Sequence, residues 1–169
     1  ICSVQAEWCN TMATVYTKTT GTKVNITQKG SGEALAQLNA EKANPKTDLW
    51  FGGTGDTHLQ AAEMGLTLEY QSPLLKDLHP WAVRQAQDSK YRTVGVYMGL
   101  LGVGYNPEVL KARKLTPPKC WSDLVKPEYK GEVQIANPNS SGTAYVAVAT
   151  LVQLMGEDEA FKYLKKMHA

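Results

Sequence analysis

Apolar residues recur along this chain in alternating helical and extended stretches. Trp8, Met12, Val15 and Tyr16 fall at i, i+4, i+7 and i+8, which predicts a helix over Glu7–Thr20 with one apolar stripe and a stop at Gly21. Ile1–Val4 before it and the alternating, β-branched Lys23–Thr27 after it read as strands. Ser31 then caps a helix carrying Ala34, Leu35 and Leu38. After the break at Asn44-Pro45, Thr47–Phe51 reads as a third strand, followed by a helix with Leu59, Ala62 and Glu63 that ends at Gly65. This strand–helix order, repeated three times, predicts an α/β fold with a parallel sheet covered by helices.

The second part of the chain is less regular. Tyr70–Pro80 is a polar connection and Trp81–Gln87 a short helix. Thr93–Tyr105 has β character but is interrupted by Gly99, Gly102 and Gly104, which suits a strand leaving one domain for the next, with a hinge near Tyr97–Gly99. Short helices are expected at Glu108–Ala112 and Trp121–Leu124, and a strand at Val133–Ala136. Ser140 or Ser141 then caps a helix over Ala144–Met155. A last helix, Asp158–Met167, places Phe161 and Leu164 on one face.

In open parallel sheets, ligands bind beyond the carboxyl ends of the strands. Ser3-Val4-Gln5, Ser31-Gly32 and Gly52-Gly53-Thr54 all fall at such ends. The run Asn137-Pro138-Asn139-Ser140-Ser141-Gly142-Thr143 repeats the device before a helix. A helix N-terminus presents unpaired N–H groups and the positive end of the macrodipole, so these turns suit an anion; each is also, taken alone, an ordinary capped helix start. The expected binding residues are Ser3, Gln5, Ser31, Gly32, Gly53 and Thr54 on one side, and Asn137, Ser140, Ser141, Gly142 and Thr143 on the other.

Composition removes several classes. The net charge is +2 without a basic run, so nucleic acid is not an expected partner. No apolar run approaches the roughly 18 residues of a membrane span. The Gly-rich turn lacks the dinucleotide fingerprint, and no phosphate-binding P-loop occurs. His58, His79 and His168 have no metal-ligand spacing, and no Gly-x-Ser-x-Gly elbow is present. Asp48 and Asp56 read as a strand start and a helix cap, and Trp50, Phe51 and Tyr97 as core. A binding protein without metal or cofactor is therefore expected rather than an enzyme. Cys2 and Cys9 could meet if a strand leads into a helix, but the favoured reading is three small buried hydrophobes, Cys120 included. The chain opens within a strand and stops within a helical pattern, which predicts a piece of a longer protein.

Several stretches resemble a known family. Cys2-Ser3-Val4-Gln5-Ala6-Glu7-Trp8, Gly30-Ser31-Gly32-Glu33-Ala34-Leu35-Ala36, Asp48–Asp56, Gly102–Leu110, Pro118–Leu124 and Ala136–Tyr145 are similar to the periplasmic solute-binding components of ABC importers. The branch is the one that includes ferric-ion, phosphonate and hexose-phosphate binders, and the likeness covers about the first half of such a protein. It implies a type II periplasmic-binding-protein-like fold: two α/β lobes with mostly parallel sheets, joined by crossing hinge strands. The lobes would be 1–97 and the start of a second at 98–169. It implies a small phosphorylated or anionic solute in the cleft, best a sugar phosphate, and an ABC permease in the membrane. A complementary second half or a swapped chain would complete the sheets. Ferric binders of the family place a His after the first strand and a carboxylate after the third; here Val4-Gln5-Ala6 and Gly52-Gly53-Thr54 stand there. A ferric-ion receptor is thus the alternative within the family. An anion-handling enzyme or regulatory domain on this fold is the alternative outside it.

Overall fold

A computed structural model describes residues Ile1–His168. Two short strands, β1 (Cys2–Ser3) and β2 (Phe51–Gly52), pair in parallel, with Cys2 opposite Phe51 and Ser3 opposite Gly52. Among the described residues seven α-helices follow one another as α1 (Ala6–Thr20), α2 (Ser31–Ala40), α3 (Gly55–Glu63), α4 (Pro80–Asp88), α5 (Pro107–Ala112), α6 (Gly142–Met155) and α7 (Glu157–His168). Three short 3-10 turns lie at Leu75–Asp77, Trp121–Val125 and Pro127–Tyr129.

The described chain divides into two compact units. The first holds Ile1–Gly99 together with Asn139–Gly142; the second holds Leu100–Pro138 and the chain from Thr143 onward. In the first unit, α2 and α3 pack against each other through small residues, with Ala34, Ala61 and Ala62 buried. Small side chains let the backbones approach closely, which brings the N-terminal ends of both helices beside the ends of β1 and β2. The second unit is built around buried Leu110, Leu124, Tyr129, Ala147, Leu151 and Ala160. Asn106 caps α5 by accepting from the N–H groups of Glu108 and Val109, and Tyr163 ties α7 to the Trp121 carbonyl.

The helices agree with the periodicity, including the Gly21 stop, where the backbone turns left-handed at φ 76°. Three expected strands are not ladders. Lys23–Thr27 contributes one parallel bridge just beyond it, Gln28 to Cys2, and neither Thr93–Tyr105 nor Val133–Ala136 pairs among the described residues. β propensity describes a backbone that fits a sheet, and a strand forms only where a partner edge lies beside it. The apolar stripe of α1 is also more open than expected, with Val15 and Tyr16 exposed.

The cysteine reading is corrected. Cys2 and Cys9 form a disulfide across a Cα–Cα distance of 6.4 Å, because the chain turns from β1 directly into α1. Cys120 is exposed rather than core, with its sulfur beside the Ser122 hydroxyl and the Asp123 carboxylate.

Candidate functional site

The sequence places small residues where β1 and β2 end, and there the backbone makes two tight approaches. Gly53 has φ 92°, a region L side chains rarely adopt, and a Cβ there would lie 2.6 Å from Ser31 Oγ and 3.2 Å from Ser3 Cβ. Gly142 sits over the same spot: a Cβ would lie 2.4 Å from Thr54 Oγ1 and 2.6 Å from Ser31 Oγ. Ser3, Ser31, Gly53, Thr54 and Gly142 are thus one cluster in the first unit. Gly32 joins it by donating its N–H to the Ser140 carbonyl at 3.2 Å.

Hydrogen bonding within the cluster has a polarity. Ser3 Oγ accepts from the Trp50 indole N–H at 2.9 Å, and Ser31 Oγ accepts from the Thr54 N–H at 3.2 Å. Each hydroxyl therefore uses an acceptor position on the protein and keeps its hydrogen to donate. Thr54 Oγ1 is buried without a hydrogen-bond partner. The Gly53 N–H is already taken by the Tyr97 hydroxyl at 2.9 Å, and that hydroxyl donates to the Gly53 carbonyl at 3.1 Å. Ser31, expected to cap α2, is instead its first helical residue and is 4% exposed; Gly30 is the N-cap, its N–H bound by Glu33. Asp56, expected to cap α3, lies in its first turn, and Thr54 is the N-cap.

The other expected residues are Gln5, Asn137, Ser141 and Thr143. Gln5 precedes α1 with an exposed side chain. Asn137 and Thr143 belong to the second unit and are exposed. Ser141 lies in the Asn139–Gly142 segment of the first unit. Among the described residues no three His, Cys, Asp or Glu side chains gather as a metal site.

Sequence reasoning assigned no site role to Trp50, Tyr97 or His58. The signal was available only in part, as aromatics flanking the glycine turn. The His58 ring stacks on Trp50 at 3.8 Å, and its Nε2 meets the Gly52 carbonyl at 2.7 Å. Burial holds the imidazole below its ordinary pKa, opposed by the Gly52 hydrogen bond and the Asp56 charge. Neutral His58 donates to Gly52, so Nε2 carries the hydrogen. Because the folded-state pKa is lowered, the stability this residue contributes is complete above about pH 6.5 and is lost as pH falls toward the folded value. Denaturation midpoints measured from pH 8 to 5 should therefore decline at the acid end, and His58→Gln should flatten that decline. An identical slope in parent and variant would refute the assignment.

The chain matches the family model described as bacterial extracellular solute-binding protein over residues 44–169. A Haemophilus influenzae protein is 44% identical over 99% of this chain and 49% of its own length. The Fe(3+)-binding periplasmic protein of Serratia marcescens is 30% identical over 90% of this chain and 43% of its own length. Among solved structures, the periplasmic binding protein AfuA from Actinobacillus pleuropneumoniae, with exogenous fructose-6-phosphate bound, superposes with a TM-score of 0.92. It shares 42% identity over 99% of this chain and 53% of that one. The chain spans about half the length of the relatives it matches. With its parallel strand pair, covering helices and donor-lined glycine turn, the chain belongs to the bacterial extracellular solute-binding protein family, whose periplasmic members bind solutes rather than transform them.

Proposed function

We propose that this protein is the receptor of an ABC importer for a small phosphorylated solute, best a sugar phosphate such as fructose 6-phosphate. One observation carries the reading: the hydroxyls of Ser3 and Ser31 each accept an N–H from the protein and keep their own hydrogen to donate, and the buried Thr54 hydroxyl has no partner. A site that offers donors selects an acceptor-rich group, and a phosphoryl group carries little else. Glu33 and Asp56 already occupy the first turns of α2 and α3, so the neutral hydroxyls, rather than net positive charge, supply the recognition. The likeness to AfuA supports the sugar-phosphate class. A ferric ion would need carboxylate, imidazole or phenolate ligands from beyond the cluster. Ser141, in the Asn139–Gly142 segment of the same unit, is assigned to a remaining polar group of the solute.

Delivery would be to an ABC permease. The exposed alternation of Val94, Val96 and Met98, together with relatives about twice as long, supports completion of the sheet by the rest of a longer polypeptide. A swapped second copy is the competing arrangement, and an intact mass of the native protein tells the two apart.

Calorimetry on the complete protein tests the site. Fructose 6-phosphate should bind far more tightly than fructose. Ser31→Ala should weaken it by about 10-fold to 100-fold, at roughly 1.5–3 kcal/mol for a hydrogen bond to a charged group. Salt should change the affinity little. Equal binding of fructose and its phosphate, or of Ser31→Ala and parent, would overturn the proposal.

A further inference from the structure

After α4 the chain is tied down through Tyr91, Arg92 and Thr93, and from there to Gly99 it runs without a ladder partner among the described residues, with close contacts at Gly95 and Tyr97. At Gly95 it lies flat against α4, where a Cβ would come within 2.5 Å of the Trp81 ring and 2.9 Å of Ala82 Cα. At Tyr97 the ring packs 5.2 Å from Trp8, which meets Phe51 edge-on at 5.4 Å, and the hydroxyl grips both the N–H and the carbonyl of Gly53. Beyond Tyr97 the hold ends. Met98 is exposed, a Cβ at Gly99 would meet nothing within 4 Å, and Leu100 is fully exposed. Tyr97 is therefore the last anchored residue before the unit ends at Gly99.

The anchor falls on a peptide that cannot hold itself. Gly53 has no side chain to restrain it, and its φ of 92° is one of several conformations open to glycine. Its neighbour Thr54 supplies the N–H that orients Ser31 Oγ and the hydroxyl that lacks a partner. We infer that Tyr97 is a positioning residue: by bracketing the Gly53 peptide it sets the geometry of the Ser31–Thr54 donors, and it links that geometry to the stretch of chain leading out of the unit. Its hydroxyl already accepts from and donates to Gly53, so its role runs through that peptide. Its consequence for affinity rests on the phosphate-binding reading above; its hold on Gly53 does not.

Tyr97→Phe keeps the ring against Trp8 and Phe51 and removes only the two hydrogen bonds. In the complete protein without ligand, the Gly53 amide should exchange with solvent slowly in the parent and about tenfold faster in the variant, while amides of α1 and α2 keep their rates. Fructose 6-phosphate should bind about tenfold more weakly to the variant. Combined with Thr54→Val, the loss should be smaller than the sum of the single losses, since both act on the same donor; a purely structural role for Tyr97 would give additive losses. An unprotected Gly53 amide in the parent overturns the inference without any variant. Faster Gly53 exchange with unchanged affinity, or additive losses, overturns the positioning role and leaves the phosphate reading standing. A parent that fails to bind fructose 6-phosphate overturns that reading, and Gly53 exchange then still decides whether Tyr97 sets the turn.

Discussion

Reduction of the Cys2–Cys9 disulfide is expected to lower the folding stability of this protein by about 2.5 kcal/mol, the loop-closure entropy of so short a loop. Both cysteines are buried, so reduction also leaves two thiols in a space shaped for one bond. The bond ties the start of the sheet to the first turns of α1, and Ser3 lies between the two cysteines. Urea denaturation with and without reductant measures the loss, and Cys9→Ser should reproduce it. Coincident unfolding curves would show that β1 and α1 hold their places unaided. A periplasmic location suits the bond, because that compartment keeps disulfides oxidised.

Gly32→Ala should be the most disruptive single methyl in the candidate site. The added carbon would lie 2.0 Å from the Asn139 carbonyl oxygen and 2.9 Å from its carbon, whereas real contacts start at about 3.0 Å. These are backbone atoms and cannot rotate aside. The Asn139–Gly142 segment must move off α2, which breaks the Gly32 to Ser140 hydrogen bond, and overpacking of this kind costs roughly 1–3 kcal/mol. Gly99→Ala is the control, since nothing lies within 4 Å there. A crystal structure of Gly32→Ala with the segment in place, or a stability loss no greater than that of the control, would contradict the seating described here.

The helices were legible because their signals are local. Trp8, Met12, Val15 and Tyr16 set the period of α1 and Gly21 ends it, whatever the rest of the chain does. The parallel order was legible for the same reason, as alternation between two periods. What escaped depends on partners distant in sequence. Tyr97 in an apolar run reads as core, and only its hydroxyl's contact with Gly53 shows otherwise. Trp50 reads the same way until its N–H is seen on Ser3. The Cys2–Cys9 pairing depended on how sharply Val4 and Gln5 turn, which no spacing rule supplies. Val133–Ala136 and Lys23–Thr27 carry strand propensity, but the described residues bring no ladder to them. That the glycine turn stands beside Ser3 and Ser31 follows from residue type and position at the strand ends. The N–H groups that each hydroxyl accepts, from Trp50 and Thr54, were not legible, because they come from a distant part of the chain.

The return of Asn139–Gly142 to the first unit has a consequence for the order in which the molecule assembles. Everything else in that unit is contiguous and can form as soon as Gly99 has been made. The segment that covers Ser31 and Thr54 comes only after Leu100–Pro138 has been threaded through the second unit. Contacts between residues so far apart in sequence form late, since the intervening loop must close first. Seating of Asn139–Gly142 against α2 and Thr54 is therefore among the last events of folding, and the candidate site takes its final geometry only then.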